Sequence, residues 1–451
     1  MTRISAKLVA LALVLMPLLG LVPKYLLIQH GLAGQKVEQT LFGLGDYTAS
    51  VLQSGELRSC VRPPFHFCQP DRCLYATRMP AIPLLYASLA KLLGTDDSVA
   101  IDLAKCVLTA ALLAGLLAVL VRDAQPSLLG VILLYLLYFG PQALKHGAAI
   151  EYEEGMLLDL ELSAAVALAY LLRPELAATH GRRIAMGLMA LAIAVLMYFI
   201  KTTALLMLCV VVGLFASAAR AGWRLNLAAA VLVVVPFGAW GLHTAATSGR
   251  VHLSSSWNGE NLFRGYNSDS ARIYPQIALD RIFDSRRAVL DDGVTVPLGD
   301  YADQSPCFAD EWAWSESYSQ RARAWLADHP WEAFRFDLKK LWMALVEVRH
   351  TPYRISATER DSDYPPAVAA VMLVWMIAAR LTLFFLIFRL VGELAGESRN
   401  TALWTLALVA AGFAPYIMVF SYQRHVVPLL VMTGGLLVVR YGMSARRRAV
   451  T

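Results

Sequence analysis

Apolar stretches long enough to cross a bilayer recur along nearly the whole of this chain, and no other feature restricts its fold as severely. A hydrocarbon core of about 30 Å takes about 20 residues of helix, and within it every backbone N–H and C=O must be satisfied internally. Ten windows fit: 8–28, 98–121, 127–145, 155–172, 183–200, 203–219, 225–243, 366–389, 401–420 and 425–440. Composition agrees: of 451 residues, 57% are hydrophobic and 16% charged, against about 25% charged in an ordinary soluble domain. The expected class is an all-α polytopic membrane protein with about ten transmembrane helices and a mainly helical extracytoplasmic segment. Arg3 and Lys7 before apolar Leu8 to Val22 have the outline of a signal peptide. No small-residue cleavage site follows, and Pro23-Lys24-Tyr25-Leu26 prolongs the span, so a retained first helix is expected.

Charge sets the expected topology. Arg122, then Arg173, Arg182 and Arg183, then Arg220 and Arg224, then Arg389 and Arg399, and the tail Arg446-Arg447-Arg448 all fall on the side of Arg3 and Lys7. Short basic connections stay in the cytoplasm, so both termini are expected there. The first outer loop carries Arg58, Arg62, Arg72, Arg78 and Lys91, but long loops translocate largely regardless of charge. The net charge of +6 is modest, and no Lys/Arg strip interleaved with aromatics points to nucleic acid.

The chain divides into three parts. Residues 1–243 hold the first seven helices, with an outer loop at 29–96; residues 244–365 form an extracytoplasmic segment; residues 366–451 hold the last three helices and the basic tail. In the outer segment, a pattern from Ser317 to Val348 places Ala322, Trp325, Leu326, Trp331, Phe334, Phe336, Leu341 and Trp342 on a broad apolar face interrupted at Pro330. It reads as a helical pair packed on the membrane surface. The aromatics Trp257, Trp312, Trp314 and Tyr318 fit either a sugar-stacking surface or a core.

Of six cysteines, Cys106 and Cys209 lie inside expected helices and behave as small hydrophobes. Cys60, Cys68, Cys73 and Cys307 all fall on the outer side, where an oxidising compartment favours disulfides. Three pairings are open, and if all four pair, one bond lies within the first loop. Their spacing lacks the His/Cys pattern of a zinc site.

Ionisable groups gather at the expected outer ends of helices: Asp46, Arg78, the Glu151, Glu153 and Glu154 cluster, Lys201, and Arg424 with His425. Such groups at the interface are costly, so each is a functional candidate. Each also has a plainer reading. Asp46 could cap a helix starting near Tyr47; Lys201 and Arg424 could be snorkelling anchors; the glutamates could line a solvated loop. Arg380, inside an expected span, could pair with a neighbour or reach a lipid headgroup.

In order, these features resemble the GT-C superfamily of membrane glycosyltransferases, in the protein-mannosyltransferase and aminoarabinose-transferase branch that uses polyprenyl-phosphate sugars. The resemblance covers most of the chain. It rests on Gly45-Asp46-Tyr47 after the first helix, Arg78-Met79-Pro80-Ala81-Ile82-Pro83-Leu84, Lys201-Thr202-Thr203-Ala204-Leu205, Asn261-Leu262-Phe263-Arg264-Gly265-Tyr266-Asn267, His329-Pro330-Trp331 before Lys339-Lys340, and Arg424-His425-Val426-Val427-Pro428. The chain departs from the pattern in two ways. Many members carry two adjacent acids in the first loop where Asp46 is followed by Tyr47, and the loop cysteines are not a general family feature.

The resemblance implies an inverting transfer at the outer face of a bacterial inner membrane, from a polyprenyl-phosphate donor to a glycan, lipid or protein acceptor. Asp46 would be the general base, which must lie within hydrogen-bond reach of the acceptor hydroxyl. Arg78 and Arg424, with Lys201 and His425, would hold the leaving lipid phosphate, guanidinium gripping it in two places. Glu153 or Glu154 would orient the acceptor or a sugar hydroxyl, and Tyr47, Asn261, Tyr266 and Asn267 would bind acceptor or sugar. No cofactor is implied, and a divalent metal, though open, is not favoured, because Asp46 has no adjacent acid. Outside this class, a transporter or lipid-linked sugar flippase would carry repeats with broken helices at midplane depth, which the sequence lacks; a non-catalytic envelope assembly factor would use 244–365 for binding.

Overall fold

The computed structural model describes residues 3–40, 44–60, 68, 73–148, 154–177, 179–219, 223–274, 287–289, 294–299, 307–346, 366–419 and 423–445. The first part of the chain forms α1 (Arg3–Leu19), α2 (Leu21–Leu32), α3 (Val37–Thr40), α4 (Gly45–Ser54), α5 (Ala81–Leu93), α6 (Ser98–Asp123), α7 (Leu128–Tyr138), α8 (Pro141–Ala148), α9 (Glu154–Leu172), α10 (His180–Ile200), α11 (Leu205–Ala219) and α12 (Trp223–Ser248). The outer segment forms α13 (Asn258–Gly265), α14 (Ser268–Ile273), α15 (Glu311–Asp328) and α16 (Pro330–Val346). The bundle closes with α17 (Pro366–Glu393), α18 (Arg399–Met418) and α19 (Gln423–Tyr441). Two short antiparallel pairs complete it: β1 (Ala124–Pro126) with β4 (Met443–Ala445), and β2 (Arg287–Val289) with β3 (Thr295–Pro297).

The chain is thus an all-α polytopic membrane protein. Among the described residues, seven helices are long and apolar enough to cross a bilayer: Ala6–Leu32, Ser98–Asp123, Gly155–Leu172, His180–Ile200, Leu225–Ser248, Ala370–Glu393 and Arg399–Met418. The other three expected windows are also helical. One of them, α7 with α8, is a pair bent by 58°, and the other two are the shorter apolar helices Thr202–Ser217 and His425–Tyr441.

Local chemistry explains the boundaries. Asp97 caps α6 by accepting from Ala100 N at 2.9 Å, and Ser127 caps α7 by accepting from Gly130 N at 3.0 Å. The bend between α7 and α8 falls at Gly140-Pro141, where proline has no N–H to give. Trp375 of α17 fills the break: its indole N–H donates to the carbonyls of Leu136 and Leu137, both at 3.1 Å. Those carbonyls would otherwise stand unsatisfied in an apolar environment. A Cβ on Gly140 would lie 1.7 Å from the indole nitrogen, so only glycine admits the tryptophan. At the other extreme, α12 runs past the expected boundary at 243. Thr244, Thr247 and Ser248 turn their hydroxyls back onto carbonyls of the preceding turn, and Gly249, at φ +73°, ends the helix.

The helix α9 is buried along its whole span, packed against α6, α8, α10 and α19, whereas α12 lies at the periphery. Several basic residues at helix ends come together at one end of the bundle. Arg182 pairs with Asp123, Tyr170 donates to Asp123 at 3.1 Å, and Arg173 Nη1 donates to the carbonyls of Val439, Arg440 and Met443 at 2.8–3.0 Å. The outer segment has a separate apolar core of Phe263, Tyr266, Trp314, Tyr318, Trp325 and Phe336. Its last helix turns Ala333, Phe336, Lys340 and Ala344 inward and leaves Trp331, Phe334, Leu338 and Trp342 exposed. Spacings of three and four residues place that exposed set on one face, the form of a helix lying at a membrane interface.

Candidate functional site

The first loop is built around two adjacent dipeptides. Asp46 stands in the first turn of α4, half-buried, and accepts from Ser59 Oγ at 3.4 Å. The residue preceding α4 is Leu44, and no side chain caps the helix, so Asp46 is not the cap of a helix beginning near Tyr47. Tyr47 is buried, its hydroxyl 2.7 Å from Thr77 Oγ1 and accepting from Thr77 N at 3.2 Å. Burial pushes its phenol well above the usual range. The phenol bonds inside the loop, where it joins the residue beside Asp46 to the residue beside Arg78.

Disulfides brace this joint. Cys60 pairs with Cys73, flanking an antiparallel bridge between Ser59 and Leu74, and Cys68 pairs with Cys307 of the outer segment. One bond therefore lies within the first loop, and of the three open pairings this is the one adopted. Next to it, Glu311 of α15 accepts from Tyr75 N at 3.0 Å through one oxygen, and from Ala76 N at 3.1 Å and Ser256 Oγ at 2.9 Å through the other. Its carboxyl is raised above the ordinary range by burial, against the lowering effect of these donors. Nothing in the sequence marks Glu311, because its partners, two backbone N–H groups and the Ser256 hydroxyl, lie far away along the chain.

From Arg78 a strip of contacts crosses the end of the bundle. The Arg78 guanidinium lies 4.6 Å from the centre of the Trp257 ring. The next residue, Asn258, accepts from Thr202 Oγ1 at 2.9 Å. Beside Thr202, the Lys201 ammonium lies 5.8 Å from the Tyr416 ring, Thr203 Oγ1 is 3.1 Å from the Tyr416 hydroxyl, and the His425 ring stacks on Tyr416 at 4.6 Å. Arg78, Lys201 and His425, from three distant stretches of sequence, are thus joined by one run of contacts, and Asp46 is tied to Arg78 through its neighbour Tyr47 and Thr77. Trp257 and Tyr416 are the links that sequence reasoning missed as connectors. A strip carrying the Asp46 carboxylate and the cations Arg78 and Lys201 has the groups to grip an anion near a proton acceptor.

The remaining expectations divide. Arg424 and Glu154 lie on α19 and α9 with their side chains outside the described residues, and Glu153 lies outside them altogether. Asn261 is half-exposed on α13. Tyr266 and Asn267 make internal hydrogen bonds. Tyr266 donates to Asp337 at 2.9 and 3.0 Å, and Asn267 caps α14 through Ser270 N while donating to Phe263 O. Trp314 and Tyr318 are core, and Trp312 stacks on His252 at 3.5 Å. Arg380 is buried and donates to Ala344 O and Met376 O, both at 3.4 Å, with Met376 Sδ at 3.7 Å.

The bundle also holds a buried charge network. Lys24 Nζ is 2.9 Å from Asp159 Oδ2, Tyr138 donates to Asp159 Oδ1 at 2.8 Å, and Thr109 donates to Asp159 Oδ2 at 2.8 Å. One turn along α6, Lys105 Nζ is 2.6 Å from Asp102 Oδ1, which also accepts from Tyr86 at 3.2 Å. A Cβ on Gly147 would sit 2.6 Å from Lys24 Cε, so glycine there lets the lysine stem reach its partner. Among the described residues, no group of three or more His, Cys, Asp or Glu is arranged to hold a metal.

The fold and the strip define a class: a multi-pass helical membrane protein with a disulfide-braced acid and cation surface at one end of its bundle. No family model matches the chain, and neither a curated protein nor a solved structure matches it.

Proposed function

We propose that this chain is an inverting GT-C-type glycosyltransferase that moves a sugar from a polyprenyl-phosphate carrier to a glycan, lipid or protein acceptor at the outer face of a bacterial inner membrane. The observation that carries the reading is the single strip joining Arg78, Lys201 and His425, with Asp46 tied to Arg78 through the Tyr47 to Thr77 bond. In the reaction, Asp46 takes the acceptor proton as the acceptor oxygen bonds to the anomeric carbon. The bond from that carbon to the phosphate oxygen breaks, and its electron pair leaves on the lipid phosphate. Charge grows on that phosphate in the transition state, so fixed cations there lower the barrier. Arg78 and Arg424 serve this role, with Lys201 and His425 beside them. A single displacement inverts the anomeric centre. Both termini then lie in the cytoplasm and the strip faces outward.

The second reading is a lipid-linked sugar flippase. The buried Lys24, Asp159, Asp102 and Lys105 network favours it, because charges inside a span often mark a transport pathway. Incubating purified protein with labelled polyprenyl-phosphate sugars separates the two. A transferase releases free lipid phosphate in step with glycosylated acceptor, whereas a flippase moves the intact lipid across proteoliposomes and releases none.

A further inference from the structure

At the opposite end of the bundle from the strip, a cavity of about 830 Å³ opens among the ends of α9, α10, α11, α17, α18 and α19. The helix α10 separates the two regions: Lys201 follows its last residue, while His180 and Arg183 at its start line the cavity. At 1.5 Å per residue its 21 residues span about 30 Å. The two surfaces are therefore distinct.

The cavity is built from arginines. Arg173, Arg183, Arg389 and Arg440 line it, against only Glu175 and Glu393. Both acids are already engaged, Glu175 by Arg173 Nε at 2.7 Å and Glu393 by Arg440. Arg183 and Arg389 form no ion pair with any described residue, and Arg389 rests on the Tyr441 ring at 5.1 Å. Arg183 Nε and Arg440 Nε are buried and have no hydrogen-bond acceptor among the described residues. A retained basic loop explains positive charge at this end, but not guanidinium N–H groups enclosed without acceptors, which are costly to leave unmet. Arg173 meanwhile donates to three carbonyls at the end of α19, fixing the segment that carries Arg440.

We infer that this cavity binds a phosphate-bearing anion, gripped by Arg183, Arg389 and Arg440. Guanidinium forks match phosphate oxygens in pairs, and the volume suits a ligand larger than phosphate alone. Basic pockets between membrane helices take up phospholipid headgroups, and a soluble phosphate compound carries the same chemistry. The inference does not rest on the transferase reading.

The test uses the full-length chain, delipidated in a non-ionic detergent, as wild type and as Arg183→Gln with Arg389→Gln. Binding is followed by native mass spectrometry and thermal shift with phosphatidylglycerol, phosphatidylcholine and inorganic pyrophosphate. Retention of phosphatidylglycerol over phosphatidylcholine, weakened about tenfold for each arginine lost, supports the site with a lipid source. Saturable pyrophosphate binding with the same arginine dependence supports it with a soluble source. If the glutamine pair does not fold, Arg183→Lys with Arg389→Lys replaces it; this pair keeps the charge, loses the fork and is expected to bind several-fold more weakly. Binding of neither anion, or binding equal in wild type and the folded variant, overturns the inference.

Discussion

The hydroxyls of Tyr47 and Thr77 lie 2.7 Å apart in a buried contact that couples Asp46 to Arg78 across the first loop. Thr77 also donates its backbone N–H to the same phenol oxygen, so the tyrosine satisfies two polar groups of the turn that carries Arg78. Tyr47→Phe would leave both unmet, at a cost of about 1–3 kcal/mol. A lower melting midpoint together with slower lipid-phosphate release is expected, while Tyr25→Phe, at an exposed position, changes neither. An unchanged midpoint in Tyr47→Phe would remove the loop strut from this account.

The disulfide between Cys68 and Cys307 spans 239 residues of sequence, and that between Cys60 and Cys73 spans 13. A bond closing the longer loop restricts the unfolded chain more, and a native disulfide is worth about 2–4 kcal/mol. Cys68→Ser with Cys307→Ser should therefore destabilise the chain more than Cys60→Ser with Cys73→Ser. Denaturant unfolding of the two variants side by side checks the order.

Within the bundle, Asp159→Asn leaves the Lys24 ammonium buried beside a neutral amide. Breaking one half of a buried pair costs about 3–5 kcal/mol, whereas replacing both halves by apolar residues costs far less. Thermal unfolding in detergent should rank Asp159→Asn below the double variant Lys24→Met with Asp159→Leu. The reverse order would mean that the network is accessible to water.

Lys340 offers a pH test in the outer segment. It is fully buried, its ammonium 2.9 Å from Asp337 Oδ1, and burial pulls it down from 10.5 to about 8. Between those values the unfolded chain binds more protons than the folded one, so stability rises with pH from about 8 to 10.5. Lys340→Met should flatten that part of the profile, measured as unfolding midpoint against pH.

The bilayer crossings were legible because hydropathy is local: each window needs only its own residues. Lys24, Asp102, Lys105 and Asp159 escaped notice inside those same windows, since two charges among some twenty apolar residues barely alter an average. Their meaning lies in pairings across the bundle, such as Lys24 with Asp159. The bend at Gly140-Pro141 was hidden in the same way, because the tryptophan that accommodates it comes from α17. At the site, Asp46, Arg78, Lys201 and His425 could be named from their positions at helix ends. The internal duties of Tyr47, Tyr266 and Asn267 could not, because a polar aromatic or amide looks the same in sequence whether it faces a ligand or a buried backbone group.

In the proposed mechanism Asp46 accepts the acceptor's proton while cations hold the departing phosphate. Its most direct test is single-turnover release of lipid phosphate by purified wild type and Asp46→Asn, with carrier binding and expression measured alongside. A fall of about 10²- to 10⁴-fold in release with carrier binding retained is expected. Undiminished transfer by well-expressed Asp46→Asn would contradict it.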